Sequence, residues 1–343
     1  MQTQKIMIVG AGFWGKRWIE TVRAHPALEL SGVVAKTEAT LKDVRRRYGL
    51  AKDLCFTDLS QALRAREARI VAIVSPAQAH LEHIRVALEA GAQVICEKPL
   101  AHNWQAALAI ARIVRAHPRQ QFMVAQTRRF TGQVETLRRT IETGRIGKLD
   151  SIMFDHRVNY TGGGYRQRME FPVLEDMICH HLDALRYITG QEPLSVFAEA
   201  WNPPWSQFDG KASNILWTEM TQGIRLSYFG SWTARGQLNS YDGIMKAMGS
   251  KGSLDLINER TLLLYPYTGA GHSPNPKPIR IPVSEPNERE ISGVIRHFLT
   301  ALRNRMTPMC GLEDNLKTFA WNCAAIESCR THRPVSIPPM LNP

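Results

Sequence analysis

Short apolar runs alternate with segments of helical spacing along the first third of the chain. The runs that predict strands are 5–10, 28–36, 69–76, 93–99 and 121–129, and the segments that predict helices include 38–49, 79–91 and 103–118. Strict alternation of buried strands with helices is typical of a parallel sheet that has helices on both faces. The pattern therefore predicts an α/β fold that starts with a doubly wound parallel sheet.

Near residue 149 the pattern changes to longer strands that have one polar face. The runs that predict these strands are 149–160, 194–201, 213–220, 224–233, 244–250 and 261–267. Such alternation suits an antiparallel sheet that is covered on one side only. We therefore predict a C-terminal α+β domain with a large open antiparallel sheet.

Helical spacing returns three times after residue 149, at 173–190, 287–304 and 313–334. We place the first domain at residues 1–122 and the second at 123–343, and we expect the last helix, near 313–330, to pack back on the first domain. The segment AGHSPNPKP, at 270–278, has the composition of a flexible loop.

Composition and charge exclude several classes of protein. Of the 343 residues, 44% are hydrophobic and 22% are charged, which is ordinary for a soluble globular protein. No apolar run approaches the roughly 20 residues that cross a bilayer, and the N-terminus lacks the pattern of a signal peptide. The net charge of +12 is spread along the chain rather than gathered in a tail or stripe, so we expect no nucleic-acid partner.

The six cysteines form no C-x-x-C pair and no spacing typical of zinc. In a chain of this length, that favours reduced thiols over a disulfide framework. We expect a cytoplasmic protein that has no resident metal and no membrane partner.

The sequence GAGFWG is a complete G-x-G-x-x-G that lies between the first strand and the first helix. Gly10 permits the tight turn, Gly12 lets the backbone approach a pyrophosphate, and Gly15 lets the helix pack closely on the strand. The free N–H groups of that helix then bind the phosphates. The N-terminal domain is therefore predicted to be a dinucleotide-binding Rossmann domain.

The end of the second strand bears on which dinucleotide binds. An acid at this place would bind the ribose 2′-hydroxyl of NAD, but the sequence here is VVAKTE. Lys36 could pair with the 2′-phosphate of NADP and Thr37 could add a hydrogen bond, so we favour NADP. The alternative is that Lys36 is merely solvated and that Glu38 takes the acidic role with NAD.

Two further segments carry candidate chemistry. In VICEKPLA, Lys98 leaves a buried strand just before a proline, which is either an ordinary strand exit or a means of holding one ammonium group at a fixed point. In EDMICHHLD, Asp176 and His180 are four residues apart on one helical face. A carboxylate one turn before a histidine orients the ring, which makes His180 a candidate general base. A purely structural pair is the commoner role of such residues.

Taken together, these motifs resemble the Gfo/Idh/MocA family, the relatives of glucose–fructose oxidoreductase and inositol dehydrogenase. The matching segments span nearly the whole chain and are GAGFWG, VSPAQAH, GAQVICEKPLA, RRFTG, IETGRIGKL, EDMICHHLD and EDNLKTFAW. The resemblance implies a nicotinamide-dependent oxidoreductase that acts on a CH–OH group of a sugar, polyol or cyclitol. It implies that Lys98, Asp176 and His180 are the catalytic residues.

The resemblance implies several other contacts. Phe13 and Trp14 belong to the cofactor-binding glycine segment. The cofactor residues beyond that segment would be Ser75, Pro76, His80, Glu97 and Lys98, and the Lys98–Pro99 bond would be cis. The second domain would bind the substrate and form a homodimer or homotetramer through its sheet.

Residues just before the catalytic helix are candidates for the substrate site. Tyr160 and Arg166 flank a GGG segment, and with Asp176 and His180 they would contact a carbohydrate-like substrate. Trp232 is a further candidate, although packing is the commoner role of a tryptophan. Two alternatives stay open: an NADPH-dependent biosynthetic reductase of a keto-sugar or related intermediate, and a non-catalytic NADP-binding regulator.

Overall fold

The computed structural model describes residues 3–269, 276–285 and 290–341. The chain divides into two compact units, the first formed by Met1–Thr127 with Glu288–Leu316, and the second by Arg128–Asn287 with Lys317–Pro343. Residues 270–275 of the predicted flexible loop and residues 287–289 of a predicted helix lie outside the described residues. No helix in the described part of the chain is long and apolar enough to span a membrane.

Helices and strands are numbered along the chain. The strands are β1 (Gln4–Val9), β2 (Leu28–Val34), β3 (Cys55–Phe56), β4 (Ile70–Ile73), β5 (Gln93–Cys96), β6 (Phe122–Val124), β7 (Leu149–Arg157), β8 (Pro193–Trp201), β9 (Ser213–Met220), β10 (Arg225–Ser231), β11 (Ile244–Gly249), β12 (Gly252–Asn258), β13 (Thr261–Pro266), β14 (Ile279–Ile281) and β15 (Val335–Ser336). The helices are α1 (Phe13–Ala24), α2 (Glu38–Tyr48), α3 (Leu59–Ala65), α4 (His80–Glu89), α5 (Trp104–Ala116), α6 (Gly132–Glu142), α7 (Ile178–Thr189), α8 (Glu290–Asn304), α9 (Leu312–Thr331) and α10 (Pro338–Leu341).

The first unit contains a six-stranded parallel sheet in the order β3-β2-β1-β4-β5-β6. This is the strand order of a Rossmann fold, and the order reverses between β1 and β4. Buried apolar side chains fill both faces of the central strands, as the continuous apolar runs predicted. The predicted N-terminal Rossmann sheet is confirmed.

Two features of the first unit differ from the sequence-based prediction. The strand predicted at 121–129 is only Phe122–Val124, because its neighbour β5 ends at Cys96, opposite Val124. Residues 288–316, which the sequence places in the second domain, belong to the first unit. They are held there by Gln121, whose Nε2 donates to the backbone oxygens of Ala301 (3.3 Å) and Met306 (2.9 Å).

The second unit contains a nine-stranded sheet in the order β14-β13-β12-β11-β7-β10-β9-β8-β15. Its strands pair antiparallel except for β7 and β10, which are parallel, so the predicted antiparallel sheet is confirmed with one parallel pair. Helix α7 is almost entirely buried in this unit. The prediction missed α6, β12, β14, β15 and α10.

The cysteines agree with the expected reduced state. All six lie within the described residues and form no disulfide.

Candidate active site

The three glycines of the first turn have different surroundings. Gly10 has φ +104°, and a Cβ there would lie 2.6 Å from the carbonyl carbon and oxygen of Val74. A Cβ on Gly15 would lie 2.0 Å from the carbonyl oxygen of Gly10. A Cβ on Gly12 would meet no described heavy atom within 4 Å. The first and third glycines are therefore required by close packing, whereas Gly12 faces open space.

Helix α1 begins beside that open space. Gly12 is its N-cap and supplies no side-chain hydrogen bond, and the first turn carries no acidic residue. The first N–H groups of a helix have no partner within the helix, and the helix dipole favours an anion there. A bare helix N-terminus beside a glycine without contacts fits a dinucleotide pyrophosphate.

Phe13 and Trp14, which were predicted to contact the cofactor, start this helix. Their side chains are exposed, and the two rings meet edge to face with centroids 5.5 Å apart. The guanidinium carbon of Arg17 lies 5.2 Å from the Phe13 centroid and 5.8 Å from that of Trp14. The pair forms an exposed aromatic surface beside the bare helix end, and its contact with the cofactor stays a prediction.

Lys36 and Thr37 follow β2 as expected. The Lys36 side chain is exposed. Thr37 is the N-cap of α2, and its Oγ1 accepts a hydrogen bond from the Thr40 backbone N at 3.2 Å. Glu38 is the first residue of α2 and is also exposed. Both charged side chains are accessible to a ligand at this strand end, so their exposure is compatible with either NAD or NADP.

The segment after β4 is held by a buried histidine. Nε2 of His80 lies 2.9 Å from the Ser75 carbonyl oxygen, and its Nδ1 lies 3.2 Å from the carbonyl oxygen of Leu100. Burial lowers the pKa of His80 and favours the neutral ring, although the two carbonyls act in the opposite direction. A neutral ring has a single N–H and donates to only one of these carbonyls, but in either tautomer His80 lies between the segment Ser75–Pro76 and the segment that follows β5.

Glu97 has a role that the sequence did not predict. Its Oε1 accepts a hydrogen bond from Nε1 of the buried Trp18 at 2.8 Å, and its Oε2 accepts one from the Lys98 backbone N at 3.1 Å. The carboxylate thus joins α1 to the end of β5. Lys98 is half-buried, and its bond to Pro99 is cis, as the resemblance implied.

In the second unit, Asp176 and His180 lie on consecutive helical segments. Residues Val173–Met177 form a π-helical turn that leads directly into α7. Asp176 lies in this wider turn, and His180, 8% exposed, lies in the first turn of α7. Such π turns occur frequently at functional sites. Whether Asp176 orients the His180 ring stays a prediction.

Asp176 forms an ion pair with Arg166. Nε of Arg166 lies 2.6 Å from Oδ2 of Asp176, with 23% and 15% of the two side chains exposed. Partial burial lowers the pKa of Arg166, but the attraction of Asp176 outweighs it and raises that pKa overall. The Arg166 guanidinium therefore stays charged, and the negative charge of the Asp176 carboxylate largely offsets its positive charge.

Aromatic rings surround this ion pair. Arg166 lies over the rings of Tyr165, at 5.0 Å, and Tyr160, at 5.9 Å. Tyr160 stacks on Trp232 with ring centroids 4.7 Å apart, and Trp232 is only 2% exposed. The structure therefore brings Tyr160, Arg166 and Asp176 together, and Trp232 supports them from the core of the unit.

Sequence reasoning also missed His83 on α4, whose ring contacts the Ser75 hydroxyl. The signal available was its spacing of three residues from His80 on the same helix. Trp18 could not have been linked to Glu97 from local spacing, because 79 positions separate them.

Family comparisons agree with both units. Residues 4–126 match the Gfo/Idh/MocA model described as an oxidoreductase family with an NAD-binding Rossmann fold, and residues 134–255 match the C-terminal domain model of the same family. An uncharacterized protein of Sinorhizobium fredii is 26% identical over 346 residues, which cover 98% of this chain and 96% of that protein.

Two further proteins resemble the whole chain. The inositol 2-dehydrogenase of Rhizobium meliloti is 26% identical over 355 residues, which cover 98% of this chain and 99% of that enzyme. The crystal structure of an oxidoreductase from Agrobacterium radiobacter in complex with NAD+, L-tartaric acid and magnesium is 20% identical and has a TM-score of 0.86, covering 99% of this chain and all of that one. With both of its domain models matched, this chain belongs to the Gfo/Idh/MocA family of NAD-binding oxidoreductases.

Proposed function

We propose that this protein transfers a hydride between a nicotinamide dinucleotide and a secondary alcohol or ketone of a sugar, polyol or cyclitol. The proposal depends most on one observation: the bare N-terminus of α1 beside open space at Gly12. It lies at the carboxyl end of β1, next to β4, where the strand order reverses and where ligands bind in such sheets.

The catalytic roles proposed for this chain are those of its own side chains. A bound nicotinamide accepts or supplies the hydride. His180 takes the proton of the reacting hydroxyl as general base, and returns it in the reverse direction. Lys98 donates a hydrogen bond that orients this hydroxyl, and Asp176 accepts one from a substrate hydroxyl.

The contacts of Arg166 support an uncharged polyhydroxyl substrate. Asp176 offers acceptors and Arg166 offers donors, which together suit neighbouring hydroxyl groups. Because the two charges offset each other, the pair offers little net attraction to a carboxylate. The Rhizobium meliloti relative, an inositol 2-dehydrogenase, supports the same class of substrate.

For the cofactor we propose a preference for NADP. Lys36 is exposed two residues after β2, and the hydroxyls of Thr37 and Thr40 lie 2.9 Å apart at the N-terminus of α2. A cation beside a helix N-terminus favours the 2′-phosphate, which NAD lacks.

The test of activity is the absorbance of reduced nicotinamide with each cofactor and a panel of sugars, polyols, cyclitols and sugar acids. We expect activity with a neutral polyhydroxyl compound and at least a hundredfold loss in His180→Ala, since general bases contribute about 10²–10⁴-fold. His332→Ala, which removes an exposed histidine, is the matched control. Cofactor binding without turnover on the whole panel would contradict the proposal.

The cofactor preference is tested with Lys36→Asp. We expect the KM for NADP to rise about tenfold or more while the KM for NAD falls, because the carboxylate repels a phosphate and accepts from a ribose hydroxyl. Glu38→Gln is the control and should leave the preference for NADP in place. An unchanged KM for NADP in Lys36→Asp would show that Lys36 does not bind the 2′-phosphate.

A further inference from the structure

Ser75 lies beside the glycine turn at the point where the strand order of the first unit reverses. It follows β4 by two residues, and β4 is the neighbour of β1. A Cβ on Gly10 would lie 2.7 Å from the Ser75 backbone N, so the two segments are in direct backbone contact. Ser75 is half-buried. A ligand bound at the glycine turn would therefore lie close to the Ser75 hydroxyl.

Two histidines of α4 hold Ser75 at two different atoms. Nε2 of His80 lies 2.9 Å from the Ser75 carbonyl oxygen. Nδ1 of His83, one turn later, lies 2.9 Å from the Ser75 hydroxyl oxygen. The first contact fixes the backbone, and the second fixes the direction of the hydroxyl. Among the described residues, His83 is the one whose side chain contacts the Ser75 hydroxyl.

The chemistry of the pair depends on the charge of His83. Burial lowers the pKa of His83 below its usual value, and the nearby carboxylates of Glu82 and Asp58 act more weakly in the other direction. The ring is therefore neutral at pH 7 and has one N–H and one acceptor nitrogen. With the proton on Nε2, Nδ1 accepts the Ser75 proton, and the Ser75 oxygen keeps its lone pairs for another donor.

We propose that His83 is a positioning residue for the cofactor, which holds the Ser75 hydroxyl in the orientation that accepts a hydrogen bond from a ribose hydroxyl of the bound dinucleotide. The proposal depends on the proposed binding of a nicotinamide dinucleotide at the glycine turn. His83 acts only through Ser75, so its contribution should disappear when the hydroxyl is absent.

A double-mutant cycle on cofactor affinity tests this directly. The dissociation constant of the reduced cofactor is measured by fluorescence titration for the wild type, His83→Phe, Ser75→Ala and the double variant. We expect each single variant to bind about five- to tenfold more weakly, which is the loss of one hydrogen bond. The double variant should bind no more weakly than Ser75→Ala, because coupled residues are not additive.

Two further variants separate positioning from folding. His83→Asn places an amide near the position of Nδ1 and should restore most of the affinity that His83→Phe loses. His332→Phe, at an exposed histidine, should leave affinity unchanged. With saturating cofactor, kcat of His83→Phe should stay within about twofold of the wild type, since the chemistry of the reacting hydroxyl is elsewhere.

The outcomes distinguish this inference from the proposed function. If the wild type binds neither NAD(H) nor NADP(H), the proposed function fails and this inference fails with it. If the wild type binds cofactor but His83→Phe binds equally well, only the role of His83 is overturned. Fully additive losses in the double variant, or failure of His83→Asn to restore affinity, would also overturn it.

Discussion

At the scale of single residues, the glycine turn shows how one motif combines three physical requirements. Gly15 is required because a Cβ would lie 2.0 Å from a backbone oxygen, which no side-chain motion can relieve. Gly10 adds a positive φ of 104° to a similar clash. Gly12 has neither constraint in the protein alone. Glycine would be required at position 12 only by a bound ligand, so a substitution there tests ligand binding.

Alanine at Gly12 and at Gly15 should therefore have different effects. Gly12→Ala should keep the melting temperature within a few degrees of the wild type and weaken cofactor binding at least about tenfold, because the added methyl group occupies the pyrophosphate position. Gly15→Ala should lower both, because it separates α1 from β1. Thermal unfolding and cofactor titration on the same preparations measure the pair. Unchanged cofactor affinity in Gly12→Ala would contradict the assigned binding position.

The packing contacts that the sequence could predict are those that depend on neighbours in the chain. The spacing of the motif predicted close packing at Gly10 and Gly15, and the close approaches agree. The role of Gly12 toward a ligand stays a prediction. The contact of Trp18 with Glu97 joins positions 79 residues apart, so no local pattern carries it. Asp176 was predicted from its spacing to His180, but its partnership with Arg166 depends on how an irregular segment folds back.

At the scale of elements, α7 is held by a buried ion pair. Nε and a terminal nitrogen of Arg129 each lie 2.7 Å from an oxygen of Asp183 on α7, and the side chains are 6% and 0% exposed. Oγ1 of Thr318 donates to the same carboxylate at 3.0 Å. Removing one partner of such a pair leaves a buried charge, which costs more than the pair contributes.

Arg129→Met should consequently lower the free energy of unfolding by about 3–5 kcal/mol. The double variant Arg129→Met/Asp183→Leu should recover most of that loss, because it removes the uncompensated carboxylate. Arg330→Met, which breaks an exposed pair with Glu170, is the control and should cost at most about 1 kcal/mol. Urea unfolding measures all three. If Arg129→Met lowers the free energy of unfolding as little as the control does, Asp183 does not need its ion-pair partner.

Periodicity predicted most elements of both sheets, because each strand buries a regular set of apolar positions. Periodicity failed where hydrogen bonding to a neighbouring strand, rather than the apolar pattern, decides where a strand ends. The strand at 121–129 ends at Val124 because β5 offers no further partner. The π turn before α7 was also beyond prediction, since a helical periodicity cannot distinguish 3.6 residues per turn from a slightly wider turn over five residues.

At the scale of the whole molecule, one buried histidine should couple stability to pH. His156 on β7 is 0% exposed, its ring lies 4.8 Å from that of His181, and burial lowers its pKa to about 4. A contact with the Ser240 backbone opposes that lowering in part, and the positive charge of Arg128 adds a smaller lowering. Between about pH 6.5 and pH 4 the unfolded chain binds a proton here that the folded protein does not bind.

Stability should therefore fall as the pH decreases from 6.5 to 4, by about 3 kcal/mol from this group alone. His156→Phe removes the proton-binding group, so its stability should fall correspondingly less over the same range, whatever its stability at pH 7. Urea unfolding at pH 7, 6 and 5 measures the difference, with His332→Phe as the exposed control. An identical pH dependence in His156→Phe and the wild type would contradict the assignment.

One face of the sheet in the second unit carries several exposed apolar side chains. Trp217 is paired with Phe197 on one side and Ser227 on the other, and Ser227 is paired with Met153, so these side chains share one face. Trp217 and Met153 are 48% and 53% exposed. Exposed apolar patches of this kind mark interaction sites, and we propose that this face forms the homodimer or homotetramer.

Trp217→Lys should reduce the oligomer to a smaller species, because a charge on this face must be desolvated on association. Sedimentation velocity at equal protein concentrations measures the change. Lys251→Ala, at an exposed lysine between β11 and β12, is the control and should preserve the oligomer. A monomeric wild type would contradict the proposed role of the sheet.

Hydride transfer by this protein can be followed through the fate of the hydrogen on the reacting carbon. A polyol or sugar that the panel identifies is prepared with deuterium at its carbinol carbon and oxidised in ordinary water. We expect the reduced nicotinamide, analysed by mass spectrometry, to carry one deuterium per turnover. Reduced cofactor without deuterium, or substrate converted with no reduced cofactor formed, would contradict net hydride transfer by this protein.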